Sequence, residues 1–378
     1  MGMKDRLQRL YKKAPYAPVL VIIILALSLR LFSLSEKAPG IDEDFTIEVI
    51  NSDFEGIFAL VANKGVAPPA YYIIAWTIFN ISNNIYFVKL FSAILGVLSV
   101  FIVYLLARDS FDEKTGLLAS LLFSIMPLAL FYSQHMRTYA FTMFLYVCLV
   151  YLVKKYNDKR TGITLIYITI INSLLLHTSY VNAVIILSEF IYFSYLGLKN
   201  KIGYKLPFIS FLMTAISFIP WLLFVSSGPV INPAEYWTKF DLAHTGYVFY
   251  KFSTGVDVST LLNTNPLLIL SFPLVMALFV SGLYNIRRNA NFILLSSFFF
   301  LPFIVSAFIS LIVPILHFRF VSYLLPLFAI ILSKSYRDDK YKKILLPAIL
   351  ITVLFWLYSD FIYFSLVTKD MWNDFVGL

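Results

Sequence analysis

Apolar residues run along this chain in continuous stretches and seldom alternate with polar ones. Stretches of about 20 residues recur through the sequence, the length at which an α-helix crosses a ~30 Å hydrocarbon layer. They predict spans near 17–34, 86–107, 115–131, 139–153, 163–178, 181–197, 206–226, 264–285, 292–313, 320–333 and 344–366, eleven in all. A membrane β-barrel would show period-two alternation instead. A further run, 68–82, opens with Pro68-Pro69-Ala70-Tyr71-Tyr72 and could be a twelfth crossing.

Charge decides against the twelfth. With eleven spans and a cytoplasmic N-terminus, the inner segments hold 21 Lys/Arg and the outer segments 7. A crossing at 68–82 would move Lys154, Lys155, Lys159, Arg160, Arg287 and Arg288 outside, against the cytoplasmic preference of basic residues. Residues 68–82 are therefore expected to lie along the outer surface as a half-buried aromatic helix. The first apolar run is followed by Leu34-Ser35-Glu36-Lys37 with no small-x-small cleavage site, so it reads as a retained span.

Composition agrees. Of 378 residues 60% are hydrophobic and 13% charged, with mean hydropathy +0.81. Soluble domains run to about 25% charged, so a soluble enzyme, a disordered chain and a disulfide scaffold are all excluded. Cys148 is the single cysteine and can make no internal disulfide. The net charge of +9 is a topology signal and implies no nucleic-acid partner. The picture is one integral membrane domain over 1–378, all α, with two large outer loops at 35–85 and 227–263.

Candidate chemistry gathers on the outer side. Seven of the 21 acids fall between Glu36 and Glu55, and Asp42-Glu43-Asp44 is the densest cluster. A carboxylate there can serve as a general base or simply cap a helix in a solvated loop. Arg137, in Tyr132-Ser-Gln-His-Met-Arg-Thr-Tyr139, is a lone outer cation whose planar fork suits phosphate, or one that snorkels beside aromatic anchors. Arg319, in His317-Phe-Arg-Phe-Val-Ser-Tyr323, is a second. Arg30 lies within the first span and is expected to pair with an acid or reach the outer surface. Lys89 opens the second span, Glu189 is a candidate buried partner for a cation, and Asp360 is expected at the interface. His177, at a span end, reads more readily as an interfacial hydrogen-bonder than as a ligand. No His/Cys set has metal-ligand spacing, and nucleotide-binding and nucleophile-elbow motifs are absent.

Six features in order then resemble one group. They are Arg30-Leu-Phe, Asp42-Glu43, Pro68-Pro69-Ala-Tyr71-Tyr72, Lys89-Leu-Phe-Ser92, Tyr132-Ser-Gln134-x-x-Arg137-x-Tyr139, and Arg319 with Pro326 seven residues on. The sequence resembles the GT-C superfamily of membrane glycosyltransferases, and within it the dolichyl-phosphate-mannose–protein mannosyltransferase-like branch. The likeness covers most of the chain and is strongest over 25–145. It departs from the usual pattern at Ala67, His135-Met136, Ser179 and Phe320.

The resemblance implies an inverting transfer of one sugar, mannose by default, from a polyprenyl or dolichyl phosphate to an acceptor hydroxyl on the extracytoplasmic face. The acceptor is a glycan, protein or lipid. Asp42 takes the position of the general base, with Glu43 orienting the acceptor or pairing with a cation. Arg137 and Arg319, with Tyr139 and Gln134, would hold the donor phosphate. Tyr71, Tyr72, His135, His177 and Tyr180 would contact sugar or acceptor. No cofactor is expected beyond the lipid-linked donor, and no metal site is implied. A lipid or glycolipid transporter or flippase and a non-catalytic partner in glycan assembly are the competing classes. Transporters favour internal repeats and helices broken at corresponding places in two halves, and the sequence shows neither.

Overall fold

The computed structural model describes residues 16–64, 67–199, 203, 205–226, 242–255, 269–337 and 342–367. Within them the chain is helical, with no strand. The N-terminal basic segment and most of the expected loop 227–263 lie outside the described residues.

The first described helix is α1 (Ala17–Leu31), followed by two short helices, α2 (Ile41–Ile50) and α3 (Phe54–Lys64). Next comes α4 (Ala70–Ser82). Its 13 residues extend about 20 Å. Pro69 stands at its N-cap and Asn83, in the left-handed region, closes it. The helix buries Tyr71, Tyr72 and Ala75 and leaves Ile81 83% exposed, the half-buried aromatic helix expected from the sequence.

The interior is built on α5 (Ile85–Ser110), α6 (Glu113–Ser124), α7 (Pro127–Ser133) and α8 (Thr138–Lys159). α5 packs against both α6 and α8, and α1 lies across α5 and α6. The expected span 115–131 is broken. Pro127 at the first position of α7 cannot continue the ladder and pushes Met126 into extended backbone, so α6 and α7 meet at a bend of 64°. α7 then delivers residues 134–137 into the interior, where 134, 135 and 136 are all buried.

The remaining helices are α9 (Gly162–Leu176), α10 (Ala183–Leu198), α11 (Lys205–Ser226), α12 (Leu242–Thr254), α13 (Ser271–Ile286), α14 (Phe292–Ile309), α15 (Leu325–Ser333) and α16 (Lys342–Val367). α12 is the described part of the second outer loop. α11 exposes Leu206, Phe208, Ile209, Leu212 and Met213, an outward apolar surface that only lipid would leave without cost. Among the described residues six helices are long and apolar enough to cross a membrane, or seven counting the bent pair α6–α7. The expected spans at 17–34, 163–178, 264–285 and 320–333 are apolar helices of 17 residues or fewer, so the count of eleven is not reached by length alone.

Candidate active site

The first acidic helix is fastened to the turn that follows α7. Gly40, in extended backbone, caps α2, and its N–H donates to Glu43 Oε2 at 3.0 Å. The other oxygen, Glu43 Oε1, accepts from the Met136 N–H at 2.7 Å. Thr46 Oγ1, one turn on, donates to the Met136 carbonyl at 2.7 Å. Both backbone groups of Met136 are thus held by one face of α2. Glu43 and Thr46 are fully buried.

That clamp leaves the neighbouring carboxylate facing inward. Asp42 accepts from Arg319 Nη1 at 3.1 and 3.0 Å on its two oxygens, a contact across 277 residues of sequence. Arg319 sits in the non-helical segment before the turn Ser322–Leu324, which Ser322 Oγ ties to the Arg319 carbonyl at 2.7 Å. Arg137 stands at the N-cap of α8 in extended backbone, among Tyr72, Tyr139, Asp42 and Tyr71. The Tyr132 and Tyr139 rings are 4.5 Å apart, and Tyr71 packs edge-on to Tyr72 at 5.5 Å. The Tyr71 hydroxyl lies against Ser92.

Donors exceed acceptors here. Arg137 Nε, Arg319 Nε and the hydroxyls of Tyr72 and Tyr132 are buried without a hydrogen-bond partner. Unpaired buried donors are costly, at about 1–3 kcal/mol each. Four around one carboxylate make a cluster complementary to an added anion rich in acceptor oxygens.

Several residues expected at the site have other duties. Glu43 spends both oxygens on backbone amides, so it braces the site and meets no cation within ion-pair distance. Gln134 spends its whole amide: Nε2 donates to the Arg30 and Phe32 carbonyls, each at 3.0 Å, and Oε1 accepts from Tyr363 at 2.7 Å. His135 is buried with Nδ1 2.9 Å from the Phe131 carbonyl and 3.1 Å from Lys37 Nζ. Burial, then the Lys37 charge, hold its imidazole well below the usual pKa. His177 caps α9 with Nδ1 2.8 Å from the Ser173 carbonyl and packs edge-on to Phe218, while Tyr180 accepts from Trp221 Nε1 at 3.1 Å. Those two form a separate aromatic cluster, joined to the site through the Ala70 N–H, which donates to the His177 carbonyl at 2.9 Å.

The intramembrane charges also differ from expectation. Asp360 is buried, not interfacial, because α16 turns it toward Arg30. Arg30 is fully buried but forms no direct ion pair with it. Its Nε donates to Ser133 Oγ at 3.2 Å, and Nη1 donates to the Ala26 and Ser124 carbonyls. Glu189 pairs with Asn172 Nδ2 at 2.7 Å, a neutral partner in place of a cation.

Three further residues near the site escaped the sequence reading. Tyr132 lay inside a quoted motif without a role. Lys37 is buried over the Phe131 and Tyr363 rings, and Lys89 Nζ donates to its carbonyl. Burial lowers the Lys37 pKa to about 7, Glu43 opposing and Lys89 adding to the shift. Lys251 on α12 lies over Phe318, beside Arg319, at 4.9 Å. A single basic residue in a loop carries no sign of burial in the sequence. A cavity of about 530 Å³ lies beside Lys37 and Lys89, not at Asp42. Among the described residues no three His, Cys, Asp or Glu side chains are grouped to hold a metal.

A family profile described as dolichyl-phosphate-mannose-protein mannosyltransferase matches residues 66–224. The match takes in Tyr72, Gln134, Arg137 and Tyr139 but neither Asp42 nor Arg319. No curated protein matches the chain. Among solved structures, it is similar to ArnT from Cupriavidus metallidurans bound to undecaprenyl phosphate, with 14% identity and TM-score 0.59 over 93% of this chain and 71% of ArnT. The apo state of ArnT gives 13% and 0.61 over 95% and 77%. The chain has the GT-C fold. The oligosaccharyltransferase AglB from Archaeoglobus fulgidus, in complex with an inhibitory peptide and a dolichol-phosphate, is also similar, at 14% identity and TM-score 0.53 over 96% of this chain. The chain spans just over half, 56%, of AglB.

Proposed function

We propose that the protein transfers a single sugar from a polyprenyl or dolichyl phosphate to an acceptor hydroxyl at the extracytoplasmic membrane surface. The observation that carries the reading is the meeting of Asp42 with Arg319, beside Arg137, among unpartnered buried donors. Similarity to ArnT bound to undecaprenyl phosphate supports a lipid-phosphate donor. The matched profile makes mannose the first sugar to test. The excess of Lys/Arg in the segments assigned inside supports a cytoplasmic N-terminus and an outward-facing site.

In this reading the donor phosphate takes the free Nε–H groups of Arg137 and Arg319 and the Tyr72 and Tyr132 hydroxyls. Arg319 then divides its guanidinium between phosphate and Asp42, which loosens the carboxylate for its task. Asp42 accepts the proton of the acceptor hydroxyl as that oxygen attacks the anomeric carbon. The bond from that carbon to the phosphate oxygen breaks on the opposite face. The polyprenyl phosphate leaves as an anion stabilised by the two guanidinium groups, and the configuration inverts.

The test is transfer of radiolabelled mannose from dolichyl-phosphate mannose in proteoliposomes containing the purified protein, with undecaprenyl-phosphate binding measured in parallel. Asp42→Asn should abolish transfer and retain binding. Normal transfer by that variant removes Asp42 as base. Counterflow of lipid-linked sugar without transfer would favour the flippase instead.

A further inference from the structure

The last helix presents a polar face where a lipid-embedded helix would be expected to pack with apolar side chains. Trp356, Ser359, Asp360 and Tyr363 recur at the spacing of one helical stripe, and all are buried. Trp356 Nε1 donates to the Ser253 carbonyl at 2.6 Å and Ser359 Oγ to the Thr254 carbonyl at 3.1 Å, both at the end of α12. Tyr363 donates to Gln134 Oε1 at 2.7 Å. Asp360 has no hydrogen-bond partner and faces the charge of Arg30, whose Nη2 is likewise unpartnered.

One stripe therefore holds two distant segments. The first is the turn 134–137, which carries Met136 and Arg137. Gln134 anchors that turn to the end of α1 through the Arg30 and Phe32 carbonyls, and Arg30 reaches Ser133. The second is α12, whose Tyr247 packs edge-on to Phe318, next to Arg319, at 5.8 Å. Apolar packing alone would tolerate small slides between helices, whereas paired buried polar groups fix one register because leaving them unpaired is costly.

We propose that this stripe on α16 is a positioning surface for the donor site, with the Tyr363–Gln134 hydrogen bond as the contact that sets Arg137. The inference rests on the functional reading above. Tyr363, Gln134 and Ser359 touch no reacting atom in it and act through the segments they hold.

Binding of undecaprenyl phosphate to the purified full-length protein in detergent tests this, with melting temperature followed alongside. Tyr363→Phe should weaken binding about tenfold, the scale of one buried hydrogen bond, and Gln134→Leu, which also removes the two Nε2 bonds, at least as much. The double variant should be no weaker than Gln134→Leu alone, because that substitution already removes the Tyr363 contact along with the two Nε2 bonds. Ser359→Ala, which loosens α12 only, should weaken binding less. Melting temperatures close to that of the wild type would separate positioning from general destabilisation. Wild-type binding by Tyr363→Phe, or losses that multiply in the double variant, would overturn the proposal. Failure of the wild-type protein to bind undecaprenyl phosphate would overturn the functional reading and this inference with it.

Discussion

Adjacent carboxylates at 42 and 43 should fail in opposite ways when neutralised. Glu43 is fully buried and accepts from two backbone amides, Met136 N–H at 2.7 Å and Gly40 N–H at 3.0 Å. Glu43→Gln keeps the shape, retains one acceptor oxygen, and turns an NH₂ toward an N–H that needs an acceptor. A hydrogen bond to a charged group contributes about 1.5–3 kcal/mol, and an orphaned buried donor costs about 1–3 kcal/mol. The loss is therefore about 3 kcal/mol, large against a total stability of about 5–15 kcal/mol. The fall should appear as a lower melting temperature in detergent. Asp42 has 21% of its side chain open, and Asp42→Asn keeps a side-chain oxygen to accept from Arg319, so it should melt closer to wild type than Glu43→Gln and lose transfer. Residual transfer by Glu43→Gln at low temperature, where the clamp still closes, should remain measurable. A Glu43→Gln protein that melts like wild type yet has lost transfer would refute this division of labour and place Glu43 in the reaction.

The other predictions concern charge and space around the same turn. Arg137→Ala should weaken undecaprenyl-phosphate binding by about tenfold to a hundredfold, the scale of one charge-assisted contact, and unchanged affinity would move the phosphate role elsewhere. Lys37 has a folded pKa of about 7 against 10.5 in the unfolded chain, so between those values the unfolded state holds the extra proton. Wild-type stability should therefore rise as pH goes from about 7 to about 10.5 and lose this dependence below 7. Lys37→Met should flatten that slope in melting scans, and an unchanged slope would rule Lys37 out as its source. Gly96→Ala should lower the melting temperature, since a Cβ there would stand 2.3 Å from Ser133 Oγ and 2.7 Å from Arg30 Nε. Overpacking of this kind costs about 1–3 kcal/mol, and a neutral result would show that the Arg30–Ser133 contact can move freely.

What could be read beforehand was what depends on residue type over a long window. Continuous apolar runs located the helices, and α4, at 13 residues, is among the shorter apolar ones. Asp42, Arg137 and Arg319 stood out because isolated charges on an apolar background are few. Partner choice was less legible. Glu43 and Gln134 sit in the same short motifs as Asp42 and Arg137, yet one turn of helix decides that they meet backbone amides and carbonyls. Asp360 was expected at the interface because nothing in the sequence of α16 says which face looks inward, and that is settled by Arg30, 330 residues earlier. The break at Pro127 was visible as a proline, but its consequence, a 64° bend delivering 134–137 into the interior, depends on α5 and α8 leaving room.

The same physics bears on how Asp42, Glu43, Arg137 and Arg319 are arranged. The proposed site for a lipid-borne anion must hold cations among buried groups without letting them collapse onto the nearest acid. Asp42 alone faces Arg319 through one nitrogen, leaving Nε unpaired, while Glu43 is fully occupied by amides and cannot neutralise Arg137. Had Glu43 been free, a second ion pair could have used up these donors and weakened the proposed phosphate site. Fixing one acid to the backbone and leaving the other on a single guanidinium nitrogen preserves the unpaired donors that an incoming phosphate can satisfy.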